Sequence, residues 1–153
     1  MIALLALLQS VAGTEPTGTD AQRACAYEVG ASATAFRLSE LPQDVRDEMK
    51  RLKPLFGDMA DSNAPLLQSD APAAAERDYP TVRFAQAMLV KDRWFVQFEV
   101  SLFAGVRTTS FTRHSDGHFR FSPSHYFGGP ACASIKAAVD GVTTPFGPYY
   151  RGG

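Results

Sequence analysis

Histidine and acidic side chains gather around one tight turn in the last third of the chain. His114 and His118 flank this turn, Asp116 lies within it, and His125 follows. Two imidazoles facing each other across a strand pair could share a zinc or copper ion, but a credible site needs three or four ligands. Asp116 is better explained as a turn residue, and His125 falls on the other face of a regular strand. We therefore predict no metal site and no cofactor.

A serine nucleophile is the second chemistry to weigh. Glu99 and His114 could serve as bases for Ser110, but no G-x-S-x-G or comparable motif surrounds a serine. The glycines at 128 and 129 precede a predicted helix and could bind an anion through backbone N–H groups. Glycines are also found where a strand simply stops. The sequence thus assigns no catalytic residue.

The polar residues of the predicted strands fall on one face of a sheet. This face supplies a candidate ligand-binding set: Gln97, Glu99, Thr112, His114, His118 and Arg120. Ser110 and Ser122 share the same face. Because an antiparallel sheet commonly has one face on the core and one in water, a merely solvated face is the competing interpretation.

The elements that would position these side chains are strands between residues 81 and 127. Residues 94–103 alternate strictly, with Trp94 and Phe98 on the apolar side. A three-residue loop at 91–93 would pair Val90 with Trp94 and keep apolar residues opposite each other. A two-residue loop would shift the register by one and set the same side chains on opposite faces.

Two later turns extend the same pattern. A two-residue turn at 104–105 places Phe111 opposite Phe98, and a turn at 115–117 with Gly117 starts the next strand. The apolar face then gathers Phe98, Phe111, Phe119 and Phe121.

Helical spacing is present on both sides of these strands. A stripe of Leu41, Val45, Met49 and Leu52 predicts an amphipathic helix capped by Ser39, and a shorter helix begins after residue 130. A short strand is predicted at 24–29, resuming near 34–37. The fold class is therefore α+β: an antiparallel β-meander of four to five strands, covered on one face by an N-terminal amphipathic helix, with a short C-terminal helix.

Residues 54–80 show no sustained period and are rich in Ala, Pro, Asp and Ser. A loop of this length in a small domain is a binding loop, a mobile flap or an unrecognised element. A short helix near 72–76 is one such element.

The N-terminus and the two cysteines point to export. Residues 1–12 resemble a signal peptide that lacks its basic start, and residues 13–153 form one exported domain. Cys25 and Cys132 are then the natural halves of a disulfide. The alternative is a reactive Cys132 thiolate in the first turn of the C-terminal helix.

Charge and motif content restrict the function classes. The net charge of −1 comes from scattered residues, so no nucleic-acid or polybasic membrane surface is predicted, nor a membrane segment after cleavage. We expect a non-catalytic periplasmic or secreted binding protein, for example an inhibitor or immunity-type partner of another protein. The alternative is a small enzyme or ligand carrier with a polar pocket around Glu99, His114 and Arg120.

Overall fold

The computed structural model describes residues 18–102, 105–127 and 130–142. The predicted signal peptide and the tail after residue 142 lie outside the described residues. The helices are α1 (Asp20–Glu28), α2 (Gln43–Arg51), α3 (Lys53–Phe56) and α4 (Ala131–Val139). The strands are β1 (Ala33–Ala35), β2 (Val82–Val90), β3 (Arg93–Val100), β4 (Val106–Arg113) and β5 (Phe119–Phe127). Short 3-10 turns occupy Leu38–Glu40 and Ala74–Glu76.

The strands of the described residues form one antiparallel sheet in chain order, β1-β2-β3-β4-β5. This order confirms the predicted α+β class and its meander. Phe111 pairs with Phe121, as the turn around Gly117 requires. Phe111 lies opposite Trp94 and not opposite Phe98. Because β3 ends at Val100, the register of β3 on β4 differs from the predicted one, and it differs by an even number of residues. Phe111 therefore lies on the predicted face of the sheet, although the predicted pairing with Phe98 is wrong.

The β2–β3 connection differs from the prediction. Val90 pairs with Arg93, so the loop has two residues, Lys91 and Asp92, both with positive φ (47° and 56°). This backbone matches the twist of paired strands. An irregularity between Phe84 and Gln86 adds one residue to β2, so Phe84 still reaches the face of Phe98.

The apolar face of the sheet packs against α2. Trp94, Phe98 and Phe111 are buried there, together with Val45 and Met49 of α2. Phe56 joins them, with its ring centroid 5.5 Å from that of Phe98. The predicted aromatic cluster and helical stripe therefore meet in one core.

Two carboxylates of α2 also protect the outer edge of β5. The Phe119 N–H donates to Asp44 Oδ2 at 2.9 Å, and the Phe121 N–H donates to Glu48 Oε1 at 3.3 Å. Residues four apart on a helix match alternate residues of a strand, since both spacings are about 6 Å. The hydrogen bond from Arg51, with that from the Phe121 N–H, lowers the pKa of Glu48.

The opposite face of the sheet is covered by α4 and α1. Its apolar part contains Met88, Val90, Phe95 and Ile135, with Cys25 of α1. Cys25 and Cys132 form the predicted disulfide, with Cα atoms 5.5 Å apart.

The predicted strand at residues 24–29 is wrong, because this segment lies in α1. Thr19 Oγ1 accepts from the Gln22 N–H, and Gln22 Oε1 accepts from the Thr19 N–H, which forms a capping box. The T-x-x-Q spacing was the available signal. The amphipathic helix is consequently the second helix of the described chain, and Pro42, not Ser39, precedes its first residue.

Candidate functional site

The predicted polar set divides into separate groups. Gln97 is fully buried, and its Nε2 donates to Thr108 Oγ1 (2.9 Å) and to the Ala131 carbonyl (2.7 Å). Thr108 in turn shares a hydrogen bond with Ser134 of α4. The solvated interpretation is therefore wrong for Gln97, as it is for the buried Ser110. We call Gln86, Gln97, Thr108 and Ser134 the polar seam.

Glu99 helps to attach the loop of residues 57–81 to the sheet. Its Oε2 accepts from Arg83 Nε at 2.7 Å, and Arg83 Nη1 donates to the Ala64 carbonyl at 2.8 Å. The ion pair is partly buried. Glu99 thereby holds the guanidinium that fixes this loop to β2.

The remaining predicted residues lie around the β4–β5 turn. Arg120 donates to Asp116 Oδ2 at 2.7 Å, which lowers the pKa of Asp116, and Thr112 shares a hydrogen bond with Ser122. His114 and His118 are exposed, and His118 Nδ1 lies 3.8 Å from Asp44 Oδ2.

Glu99, His114 and Arg120 do not surround one pocket. Glu99 pairs with Val106 at one end of β4, whereas Arg120 pairs with Thr112 near the other end. Six residues of strand separate these two positions, or about 20 Å. Among the described residues, no group of three or more His, Cys, Asp or Glu side chains could hold a metal ion.

A groove beside α2 brings other residues together. It has a volume of about 450 Å³ and lies between α2, the Leu38–Glu40 turn and residues 56–61. Four of its lining residues are apolar, Leu38, Met49, Phe56 and Met59, and we call them the apolar wall. Four are charged, Arg46, Lys50, Asp58 and Asp61, and we call them the charged wall. We call this site the α2 groove.

Backbone contacts fix the walls of the α2 groove. Asp61 Oδ1 accepts from the Leu38 N–H at 2.9 Å, which joins the 3-10 turn to the loop. Ala60 bonds to β2 on both sides, donating to the Val82 carbonyl and accepting from the Phe84 N–H. The loop is therefore attached to the sheet, so the groove is formed before any ligand binds.

The charged side chains of the groove, two cations and two carboxylates, differ in their partners. Asp58 lies 2.9 Å from Lys53, and Asp61 accepts backbone hydrogen bonds. Arg46 donates from Nη2 to Gln43 Oε1 at 2.6 Å, but its buried Nε has no hydrogen-bond partner in the described part of the chain.

A second cavity adjoins the first across Gly57 and Asp58. It has a volume of about 610 Å³ and is lined as well by Lys53, Tyr79 and Thr81. Gly57 has φ 57° and ψ −150°, a conformation essentially restricted to glycine. The shared wall thus depends on a residue without a side chain.

A smaller cavity of about 250 Å³ lies beside the β2–β3 turn. Thr112 is the predicted site residue that contributes to it, together with Arg93, Phe95 and Arg113. Arg113 is engaged with Asp92 and lies over the Phe119 ring at 4.5 Å. This cavity is smaller than the α2 groove.

Sequence reasoning missed Arg46 and Lys50 because they resemble ordinary surface residues of an amphipathic helix. The unusual length of the 54–80 loop was the one signal for this site, since a binding loop was among its interpretations.

Comparison with known proteins does not assign the chain to a family. No protein-family model, curated protein or solved structure matches this chain. In the described residues, no helix combines the length and apolar character needed to cross a bilayer.

Proposed function

We propose that the protein is a non-catalytic, exported binding protein that recognises another secreted or periplasmic protein through the α2 groove. An inhibitor or an immunity-type protein acts in this way. The observation that carries the proposal is the groove of about 450 Å³, with its apolar wall and its charged wall. Binding sites characteristically combine apolar surface with a few placed polar groups.

The roles of the charged residues favour recognition over catalysis. Asp61 holds the Leu38 N–H, and Asp58 is paired with Lys53. Asp61 therefore stabilises the groove, whereas the exposed Asp58 makes a surface ion pair. The attached loop also reduces the entropy that a ligand would lose in ordering the site.

The disulfide supports export. Disulfides persist in oxidising compartments and are rare in the reducing cytosol. The bond between Cys25 and Cys132 joins α1 to α4 across 107 residues of sequence. We propose a periplasmic or secreted location on this basis, together with the signal peptide predicted at residues 1–12.

The test compares retention of host proteins by three immobilised forms. Ser39 is exposed at the rim of the groove, so Ser39→Trp should fill it without entering the core. Ser115→Trp is the matched control, since Ser115 is exposed in the β4–β5 turn. We expect a discrete protein to be retained by wild type and Ser115→Trp and lost with Ser39→Trp. Equal retention by all three forms would refute the groove as the binding site.

A small-ligand carrier is the alternative, because the groove volume lies in the range of small-molecule sites. It would use the groove and not Glu99, His114 and Arg120. A small molecule that elutes from denatured wild-type protein, but not from Ser39→Trp, would favour this alternative.

A further inference from the structure

The guanidinium of Arg46 belongs to a partly buried residue, in contrast to the exposed Arg37, Arg77 and Arg93. Arg51, Arg83, Arg113 and Arg120 each have a carboxylate partner. Arg46 has no carboxylate within ion-pair distance among the described residues, and it is partly buried at the groove wall. A positive charge in this position lacks its counter-charge.

The group of Arg46 that lacks a hydrogen-bond partner in the described chain is its Nε–H. It is buried from water and has no acceptor within the described residues. Buried N–H groups are nearly always hydrogen-bonded, so the orphaned Nε–H marks a guanidinium whose donors are incompletely used within the described residues. Arginine pairs with carboxylates through its fixed fork of donors.

The charged wall holds two cations and two carboxylates, but neither carboxylate is paired with Arg46. Asp58 is occupied by Lys53, and Asp61 accepts two backbone N–H groups. Lys50 adds a second cation, with Asp47 4.0 Å away and both side chains largely exposed. The preference for an acidic group is therefore local to Arg46, whose guanidinium has no carboxylate beside it among the described residues.

The shape of the site favours an extended occupant. The α2 groove and its neighbouring cavity share Gly57 and Asp58, so the concave surface continues past the groove. The methionines in the apolar wall, Met49 and Met59, adapt to varied apolar side chains.

We infer that the α2 groove binds an extended acidic peptide segment of the partner, with an apolar side chain against Met49 and Met59 and a neighbouring carboxylate on Arg46. This inference rests on the proposed function and adds the chemistry of the ligand. The carboxylate contributes to specificity because its uncharged analogue leaves Arg46 without a counter-charge.

Methyl NMR of methionine-labelled protein tests the inference directly. Met49 and Met59 line the groove, whereas Met88 is fully buried in the core on the other sheet face and serves as the internal control. The probes are the capped peptide acetyl-Ala-Leu-Asp-Phe-Ala-amide and its Asn analogue. We expect the Asp peptide to shift the Met49 and Met59 signals but not Met88, and to bind about tenfold more tightly than the Asn peptide.

Two variants complete the experiment. Arg46→Gln should remove the preference for Asp, and glutamine is chosen because it adds no methionine signal. Arg93→Gln is the matched control, an exposed arginine at the β2–β3 turn outside the groove. It should retain the preference in full.

The outcomes separate the two proposals. Equal binding of both peptides, unaffected by Arg46→Gln, would overturn the acidic ligand and leave the groove as a binding site. Absence of any shift at Met49 and Met59 would overturn the peptide ligand. The protein-binding function itself is judged by the Ser39→Trp experiment.

Discussion

Single residues of α2 carry two different tasks. Asp44 and Glu48 accept N–H groups from the edge of β5, whereas Arg46 and Lys50 face the groove. Edge strands left open invite pairing with other chains, so the two carboxylates limit association at this edge of the sheet, whereas the groove is the site that we propose for a partner. The two pairs lie on opposite sides of α2, because residues two apart on a helix differ in direction by about 200°.

Replacement of Arg46 should leave the free energy of unfolding undiminished, although it should weaken binding. Arg46→Met removes the orphaned Nε–H and keeps the aliphatic stem. We expect the free energy of unfolding to be unchanged or to rise by about 1 kcal/mol, because a buried unsatisfied donor costs roughly 1–3 kcal/mol. Urea denaturation measures it, with Arg93→Met as the surface control. A loss above about 1 kcal/mol would indicate that Arg46 has a stabilising partner.

Glu48 should contribute to acid sensitivity. Its pKa is lowered from 4.5 in the folded protein, so its stabilising effect is complete above that pH and is lost as the pH falls through the lowered value. We expect wild type to lose unfolding free energy as the pH falls below about 5, and Glu48→Gln to lose less over the same acidic range. Urea denaturation across this range measures both slopes. Parallel curves would contradict the role given to Glu48.

At the scale of elements, the polar seam determines how α4 lies on the sheet. Gln97 was predicted from its strand alternation to face solvent or a ligand, but it donates to the backbone of α4 at Ala131. Alternation identifies the face of a strand and not what covers that face. The cover comes from a helix more than thirty residues later in the chain, which local pattern does not reveal.

Removal of the central amide should loosen this helix. Gln97→Leu deprives Gln86 of its acceptor and Ala131 of its donor, and we expect a loss of roughly 2–3 kcal/mol. Gln68→Leu, at an exposed position, should change the free energy of unfolding by less than about 0.5 kcal/mol. Thermal denaturation compares the two variants. Equal stability of both would contradict the structural role of the seam.

The disulfide should act mainly on α1 and α4. The double variant Cys25→Ala with Cys132→Ala opens a link across 107 residues, and the chain-entropy model predicts a loss of about 4–5 kcal/mol. Amide hydrogen exchange should rise first in these two helices, while β3 in the sheet centre stays protected. Uniform exchange over the whole chain would contradict local attachment by the disulfide.

At the scale of the whole molecule, the sequence predicted the α+β class, the aromatic core and the disulfide. Phe111 and Phe121 could be placed because strand parity survives a register error of even length. The β2–β3 loop could not be predicted, because the extra residue near Ala85 compensates for the shorter turn. The α2 groove depends on a loop that returns to β2 through Ala60, a contact with no periodic signal.

Photo-crosslinking in the native host tests the central claim of partner recognition most directly. A photoreactive amino acid at position 39 lies at the rim of the α2 groove, and one at position 115 lies in the β4–β5 turn. We predict that position 39 yields one discrete crosslinked protein, that position 115 does not, and that Arg46→Gln weakens the crosslink. The same products from both positions, or none from position 39, would contradict the account.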